Sequence, residues 1–144
     1  MLLSQEGKVW MGRRSPRARA GWHMPQGGLQ AGEKPLDACF RELKEETGTD
    51  RAVLLAEYGT WLTYEVPAAW RPHLWQGQYV GQSQKWFALR FTGEDSDFRI
   101  DTEHQEFHAW DWVDPAELIA RAVPFKHDLY RNVLDAFGGL LNGS

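Results

Sequence analysis

The helix that the sequence predicts over Pro35–Thr47 constrains the fold more than any other segment. Proline suits the first helical position, and Gly48 suits the left-handed residue that often ends a helix. Apolar side chains recur at helical spacing and form one stripe: Leu36, Cys39, Phe40 and Leu43. Glu42, Glu45 and Glu46 follow the same spacing, so the helix also gathers carboxylates on a common face. One helix is therefore expected to pack against a core and to present an acidic face.

An acidic helix face has two possible meanings, and most such faces are simply solvated. Neighbouring carboxylates, however, repel one another unless a cation lies among them, and hard oxygen ligands at this density suit Mg²⁺ or Mn²⁺. Such a cation also neutralises phosphates and lowers the pKa of water. Glu33 precedes the helix, and Arg41 stands four residues before Glu45, where the two can pair. The residues alone leave both meanings open, a solvated face or a site for a divalent cation.

The stretch GGLQAGEKPLDACFRELKEETGT, residues 27–49, resembles the Nudix box. This box is the signature of hydrolases that act on a nucleoside diphosphate linked to another group. The resemblance implies a single Nudix domain over residues 1–144, an α/β (α+β) fold built as an α/β/α sandwich with a mixed, curved central sheet. Thr49 departs from the pattern because the last position of the box is usually aliphatic. Threonine is β-branched and can pack in part, so little damage is expected.

The resemblance also implies roles for individual residues. The expected metal ligands are Gly27, Glu42, Glu45 and Glu46. Glu42 or Glu46 is also a candidate for steering the attacking water, while Arg41 and Glu33 have a supporting role that orients the ligands. Glu106, outside the box, either adds a carboxylate near the metal or acts as the base; its alternative is an ordinary acid in a loop. The expected catalytic residues are therefore Arg41, Glu42, Glu46 and Glu106.

Five further stretches are similar to the bacterial RNA pyrophosphohydrolases and the related dinucleoside polyphosphate hydrolases within this family: residues 22–28, 61–64, 81–87, 106–113 and 125–131. This similarity implies a metal-dependent hydrolase that removes pyrophosphate from the 5′ end of triphosphorylated RNA. The first alternative is a hydrolase of dinucleoside polyphosphates such as diadenosine tetraphosphate. The second is a noncatalytic nucleotide-binding module of the same fold. Such modules typically lose box carboxylates, and those of this chain are all present.

Candidate substrate contacts follow from the same similarity. Phe125 is expected either to stack on a base or to be a core residue at a helix start. Basic residues that could contact phosphate, or could simply be solvated, are Arg13, Arg14, Lys85 and Lys126. His23 stands where these enzymes commonly have Gln, and it either alters a substrate contact or merely substitutes on a strand. Four tryptophans are expected in the core: Trp61, Trp86, Trp110 and Trp112.

In the rest of the chain, segments with strand-like sequence patterns alternate with segments with helical patterns, which predicts a mixed sheet. The predicted strands are Leu2–Leu3 and Val9–Met11 around a turn at Gly7, then segments from Ala52 onward, Trp61–Val66, Trp86–Phe91 and Trp110–Val113. A long loop over Pro67–Gln84 is expected to be functional. Asp114 and Pro115 predict the start of a helix, and a second long helix is predicted over Phe125–Leu141.

Composition excludes several classes of protein. The net charge of −4 argues against a protein that coats nucleic acid through bulk positive charge, although a local site for an RNA end or a nucleotide remains compatible. A single cysteine excludes an intramolecular disulfide and a cysteine-rich zinc site. No apolar run approaches the length of a membrane span, so a cytoplasmic protein without a membrane partner is expected.

Met1 falls within the expected first strand, where related enzymes carry a preceding Arg-Pro segment. We therefore hypothesise that the natural product begins upstream and includes it.

Overall fold

The computed structural model describes residues 1–14, 21–26, 29–65, 67–68, 81–101 and 105–141. The strands in these ranges are β1 (Leu2–Leu3), β2 (Val9–Arg13), β3 (Trp22–His23), β4 (Ala52–Glu57), β5 (Leu62–Glu65), β6 (Gly81–Gln84), β7 (Phe87–Phe91) and β8 (Ala109–Val113). The α-helices are α1 (Pro35–Thr47), α2 (Pro115–Arg121) and α3 (His127–Ala136). Short 3-10 turns lie at Asp95–Asp97, Pro124–Lys126 and Gly138–Leu140. None of the helices in these ranges is long and apolar enough to cross a membrane.

The main sheet runs in the order β3-β2-β1-β7-β4, and β8 also pairs with β2. β1 and β7 are parallel, whereas the other neighbouring strands are antiparallel. β8 pairs with β2 along its whole length from Val9 to Arg13. The opposite edge of β2 is shared, because β1 pairs at Val9 and β3 pairs at Gly12 and Arg13. β5 and β6 form a separate antiparallel hairpin. The predicted mixed sheet is confirmed.

Successive side chains of β2 enter two different cores, as the alternation of a strand requires. Val9 and Met11 are buried with Leu129 of α3. Trp10 is buried in the other core with Leu43 of α1. The sheet therefore has α1 on one face and α3 on the other, which confirms the predicted α/β/α sandwich.

Helix α1 ends where the sequence predicts, for a conformational and a steric reason. Gly48 has φ 83°, and its N–H donates to the carbonyl of Lys44 at 2.9 Å. A Cβ at this position would lie 2.7 Å from the carbonyl oxygen of Arg99. The N–H of Arg99 donates to the carbonyl of Thr47 at 2.7 Å, so this approach of the two segments is hydrogen-bonded. The helix terminus thus needs glycine both for its left-handed backbone and for the space.

The predicted loop over Pro67–Gln84 was wrong at its end, because residues 81–84 form β6. The register runs from Leu62 opposite Gln84 to Glu65 opposite Gly81. The segment Gly-Gln-Ser-Gln lacks the β-branched and aromatic residues that favour strands. Its strand conformation comes from pairing with β5, which local propensity does not reveal. The part of this loop from 69 to 80, and Val66 at the end of a predicted strand, lie outside the described residues.

The predicted helix over Phe125–Leu141 was wrong at both ends. Residues 124–126 form a 3-10 turn, and α3 starts at His127 after Lys126, whose φ of −105° and ψ of 3° are not helical. The helix stops at Ala136, and Gly138 follows in another 3-10 turn. Two consecutive glycines disfavour continuation of the helix. Asp114 behaves as predicted, because its side chain accepts a hydrogen bond from the N–H of Ala116 at 3.1 Å.

Candidate active site

Arg41 and Glu33 form an ion pair, here called the frame, at the acidic face of α1. The Nε of Arg41 donates to Oε2 of Glu33 at 2.8 Å, and its NH2 donates to Oε1 at 2.9 Å. The backbone N–H of Gln30, in the segment before the helix, also donates to Oε1 of Glu33 at 3.0 Å. Two parallel hydrogen bonds from one planar guanidinium fix its direction. Glu33, which precedes α1, therefore orients the arginine in the middle of the helix.

Each group of this pair shifts the pKa of the other. The hydrogen bonds from Arg41, followed by the N–H of Gln30, lower the pKa of Glu33 to about 2. The hydrogen bonds to Glu33 and Glu42 raise the pKa of Arg41 further above its usual value. Both groups are therefore charged over the whole neutral range, and the frame persists there.

The remaining nitrogen of Arg41 reaches two of the predicted metal ligands. NH1 donates to Oε1 of Glu42 at 2.8 Å and lies 3.3 Å from both carboxylate oxygens of Glu45. The pairing of Arg41 with Glu45, which the four-residue spacing predicts, is therefore confirmed. The side chain of Glu45 is 57% exposed, whereas that of Glu42 is 20% exposed. Glu45 thus faces the outside of the site and Glu42 its interior.

Glu46 occupies the inner end of the acidic face. It is buried, and its Oε2 accepts a hydrogen bond from the backbone N–H of Gln26 at 3.0 Å. Burial raises the pKa of Glu46 well above its usual value, and the negative charges of Glu42 and Glu106 act in the same direction. The charge of Arg14 is the main opposing influence. Carboxylates that make each other harder to ionise are the environment that a bound cation stabilises.

The donor set fits a hard divalent cation by its chemistry. Glu42, Glu46 and Glu106 supply carboxylate oxygens, and Glu106 is close enough for its charge to act on Glu46. In the described ranges no three acidic, histidine or cysteine side chains already form a metal-binding group. Arg41 engages Glu42 and Glu45, while Gln26 engages Glu46. Gly27, another predicted ligand, lies outside the described residues.

Two of the predicted basic residues lie beside Glu46. Lys126 is 2% exposed, and its Nζ donates to Oε1 of Gln26 at 2.6 Å and lies 3.3 Å from Nδ1 of His23. Burial, then the charge of Arg14, lowers the pKa of Lys126, whereas Glu46 raises it. The Nε of Arg14 is buried and makes no hydrogen bond with the described part of the chain. This Nε–H is a buried donor near a carboxylate, and an anionic ligand could satisfy it.

The other predicted substrate contacts are more widely spread. Arg13 is exposed, and Lys85 pairs with Glu57 at 3.2 Å between Nζ and Oε1. Phe125 is partly buried against the core that contains α3, and the Nζ of Lys126 lies 5.9 Å from the centroid of its ring. The structure therefore groups Arg14 and Lys126 with Glu46, whereas Arg13, Lys85 and Phe125 stay candidates.

A cavity of about 230 Å³ opens between α1 and the β5–β6 hairpin. Glu42 and Cys39 line it on the helix side, and Trp61, Ser83 and Lys85 line it on the hairpin side. Trp61 is 52% exposed, so its assignment to the core was wrong; it follows a turn and lies just outside β5. The cavity reaches the acidic face through Glu42.

Sequence reasoning missed the part that Gln26 plays. This residue joins Glu46, through its backbone, to Lys126, through its side chain. The one local hint of this role is that the run Met-Pro-Gln leads directly into the box. Its partner Lys126 is distant in sequence, so the link itself was invisible.

The chain is similar in sequence to known proteins over most of its length. The NUDIX domain family model matches residues 1–133 of the chain. A relative from Roseobacter denitrificans named RNA pyrophosphohydrolase is 50% identical over 139 residues, which cover 95% of this chain and 87% of the relative. A relative of the same name from Rhodospirillum rubrum is 49% identical over 141 residues and covers 96% of this chain and 84% of its own length.

Solved structures show the same fold at lower identity. Escherichia coli dihydroneopterin triphosphate pyrophosphohydrolase superposes with a TM-score of 0.72 at 20% identity, over 94% of this chain and 91% of its own. The Caenorhabditis elegans Ap4A hydrolase, in a binary complex, superposes with a TM-score of 0.65 at 18% identity, over 96% and 95% of the two chains. Together with the box, the family match and the close relatives establish that this chain belongs to the Nudix family.

Proposed function

We propose that this chain is a metal-dependent pyrophosphohydrolase that converts the triphosphorylated 5′ end of RNA to a monophosphate. Several relatives that match nearly the whole chain at 48–50% identity carry the name RNA pyrophosphohydrolase. The structural observation that carries the proposal is the position of Glu46. Glu42, Glu106 and Arg14 are close enough for their charges to act on this buried carboxylate, and its own charge acts on Lys126.

Nudix hydrolases generally need divalent metal ions. In this chain Glu42, Glu45 and Glu46 would hold the metal, with Glu106 and the carbonyl of Gly27 as further donors. Mg²⁺ is the proposed ion and Mn²⁺ the alternative, since both prefer hard oxygen ligands. When bound, such an ion supplies charge neutralisation for the pyrophosphate and lowers the pKa of water.

Residues of the chain other than the metal ligands would bind the phosphates, orient the carboxylates and accept a proton. Arg14 and Lys126 place positive charge beside the carboxylates, where phosphate oxygens would lie. Arg41 keeps Glu42 and Glu45 in fixed directions through the frame with Glu33. Glu106 is exposed and near Glu46, so it can accept the proton that the attacking water loses. One water is consumed, one phosphoanhydride bond breaks, and pyrophosphate leaves with the 5′ monophosphate as the other product.

A second candidate substrate is a dinucleoside polyphosphate, and the cavity beside Glu42 favours it. Its entrance carries the half-exposed ring of Trp61, and an aromatic surface of this kind can stack on a nucleobase. A substrate with a nucleoside at each end would use this surface for one base and Phe125 for the other. A noncatalytic module is the weaker alternative because all the box carboxylates are present.

The proposal is tested by identifying products. Triphosphorylated RNA is incubated with the protein and Mg²⁺, and the release of pyrophosphate and of monophosphorylated RNA is followed. Glu46→Gln and a sample with a chelator serve as controls, and both should lose activity while the variant stays folded. Intact RNA in the presence of folded wild-type protein and Mg²⁺ would contradict the proposal.

A further inference from the structure

A series of buried and partly buried hydrogen bonds leads from β3 to the acidic face of α1, and it starts at His23. His23 is 5% exposed and pairs with Gly12 of β2. Its Nδ1 lies 3.3 Å from the Nζ of Lys126, which donates to Oε1 of Gln26 at 2.6 Å. The backbone N–H of Gln26 then donates to Oε2 of Glu46 at 3.0 Å. His23 is thus connected to a candidate metal ligand without touching it.

The direction of the first hydrogen bond follows from the chemistry of the two groups. The Nζ of Lys126 carries hydrogens whether or not it is charged, so it can donate to both of these neighbours. Burial first, and then the charges of Lys126 and Arg14, lower the pKa of His23 to about 2. The ring is therefore neutral, and a neutral ring with its hydrogen on Nε2 offers Nδ1 as an acceptor.

We propose that His23 is a positioning residue for hydrolysis, which accepts a hydrogen bond from Lys126 and so directs the amine to Gln26 and fixes Glu46. Gln26 carries both ends of this connection, since its side chain meets Lys126 and its backbone meets Glu46. A change in the position of Lys126 is therefore expected to move Gln26, whose backbone N–H donates to Glu46. Groups that orient metal ligands without binding the metal themselves typically contribute about 10–100-fold to metal affinity or activity.

The ring of His23 can be examined without metal or substrate. Nitrogen NMR of the imidazole rings in the metal-free protein at neutral pH distinguishes the two neutral tautomers, and His23→Gln removes and so identifies the His23 signals. We expect the hydrogen on Nε2 and a hydrogen-bonded Nδ1. Lys126→Met should change the Nδ1 signal strongly. A hydrogen on Nδ1, or a doubly protonated ring, in the wild type would overturn the proposal.

Activity supplies the second readout, and it rests on the proposed function. His23→Leu removes the acceptor, so kcat should fall about tenfold or more while KM changes less than about threefold. His23→Gln keeps an acceptor oxygen and should restore kcat to within about threefold of wild type. Tyr130→Phe is the matched control. It removes the hydroxyl that accepts from the N–H of Met24 at 2.9 Å, next to His23, but leaves Lys126 in place. It should lower the Tm without lowering kcat to the extent of His23→Leu.

A double-variant cycle decides whether His23 acts through Lys126. In the Lys126→Met background, His23→Leu should produce little further loss of kcat. Losses that multiply, or a kcat for His23→Leu that equals the wild-type value, would overturn the proposal. If the wild type itself fails to hydrolyse RNA, the proposed function fails, whereas the tautomer measurement still tests the contact between His23 and Lys126.

Discussion

Arg41 and Glu33 form a bidentate ion pair, with 2.8 Å between Nε and Oε2 and 2.9 Å between NH2 and Oε1. NH1 of the same guanidinium donates to Glu42 and Glu45. One guanidinium therefore links Glu33, before the helix, to the carboxylates expected to bind metal. Replacing its planar fork with a single point charge should disturb the site more than the fold.

The first prediction concerns Arg41→Lys. Lysine keeps the charge but cannot bond to Glu33 with two parallel donors and also reach Glu42. We expect kcat/KM to fall about 10–100-fold, with a small loss of Tm. The control is Arg131→Lys, which changes the same residue type in an exposed pair with Asp128 at 3.1 Å. Equal activities of the two variants would show that the planar fork is not needed.

Glu33→Gln should remove part of the pH dependence of stability. Because the pKa of Glu33 falls from 4.5 to about 2 in the folded protein, its stabilising effect is fully present above pH 4.5 and is lost as the pH falls through about 2. Urea unfolding of the wild type and of Glu33→Gln should therefore differ more at about pH 6 than at about pH 3. A difference that stays constant over this range would contradict the lowered pKa.

Glu45→Gln tests the role of the exposed carboxylate on α1. The change removes the charge but keeps the volume and a good helix former, so the protein should stay folded and lose most of its activity. Glu117→Gln makes the same change at an exposed position of α2 and should have little effect. Activity of Glu45→Gln within about threefold of wild type, well under 1 kcal/mol of barrier, would reject Glu45 as a metal ligand.

Local sequence signals predicted α1 completely and its surroundings only in part. Its start at Pro35, its end at Gly48 and the pairing of Arg41 with Glu45 depend on neighbours within a few residues. The strand β6 and the burial of Lys126 depend on segments far away in the chain. The residues of β6 do not favour a strand without β5, and the amine of Lys126 contacts Gln26 and His23, which come from the other half of the chain.

Two glycines test how the helix end is specified. Gly48 and Gly32 both have a left-handed backbone, with φ of 83° and 77°, but only Gly48 lies against the backbone of Arg99. Gly32→Ala should cost about 1–2 kcal/mol of unfolding free energy from strain alone. Gly48→Ala should cost more, because a Cβ would lie 2.7 Å from the carbonyl of Arg99. Equal losses in urea unfolding would mean that the segment of Arg99 moves away without penalty.

The most direct test of the central claim compares two substrates with one preparation of the protein. The values of kcat/KM for triphosphorylated RNA and for diadenosine tetraphosphate are measured with Mg²⁺, and the products are identified. The proposed function predicts a kcat/KM at least about tenfold higher for the RNA, with pyrophosphate as the released product. A higher value for diadenosine tetraphosphate, or RNA that keeps its triphosphate, would contradict it.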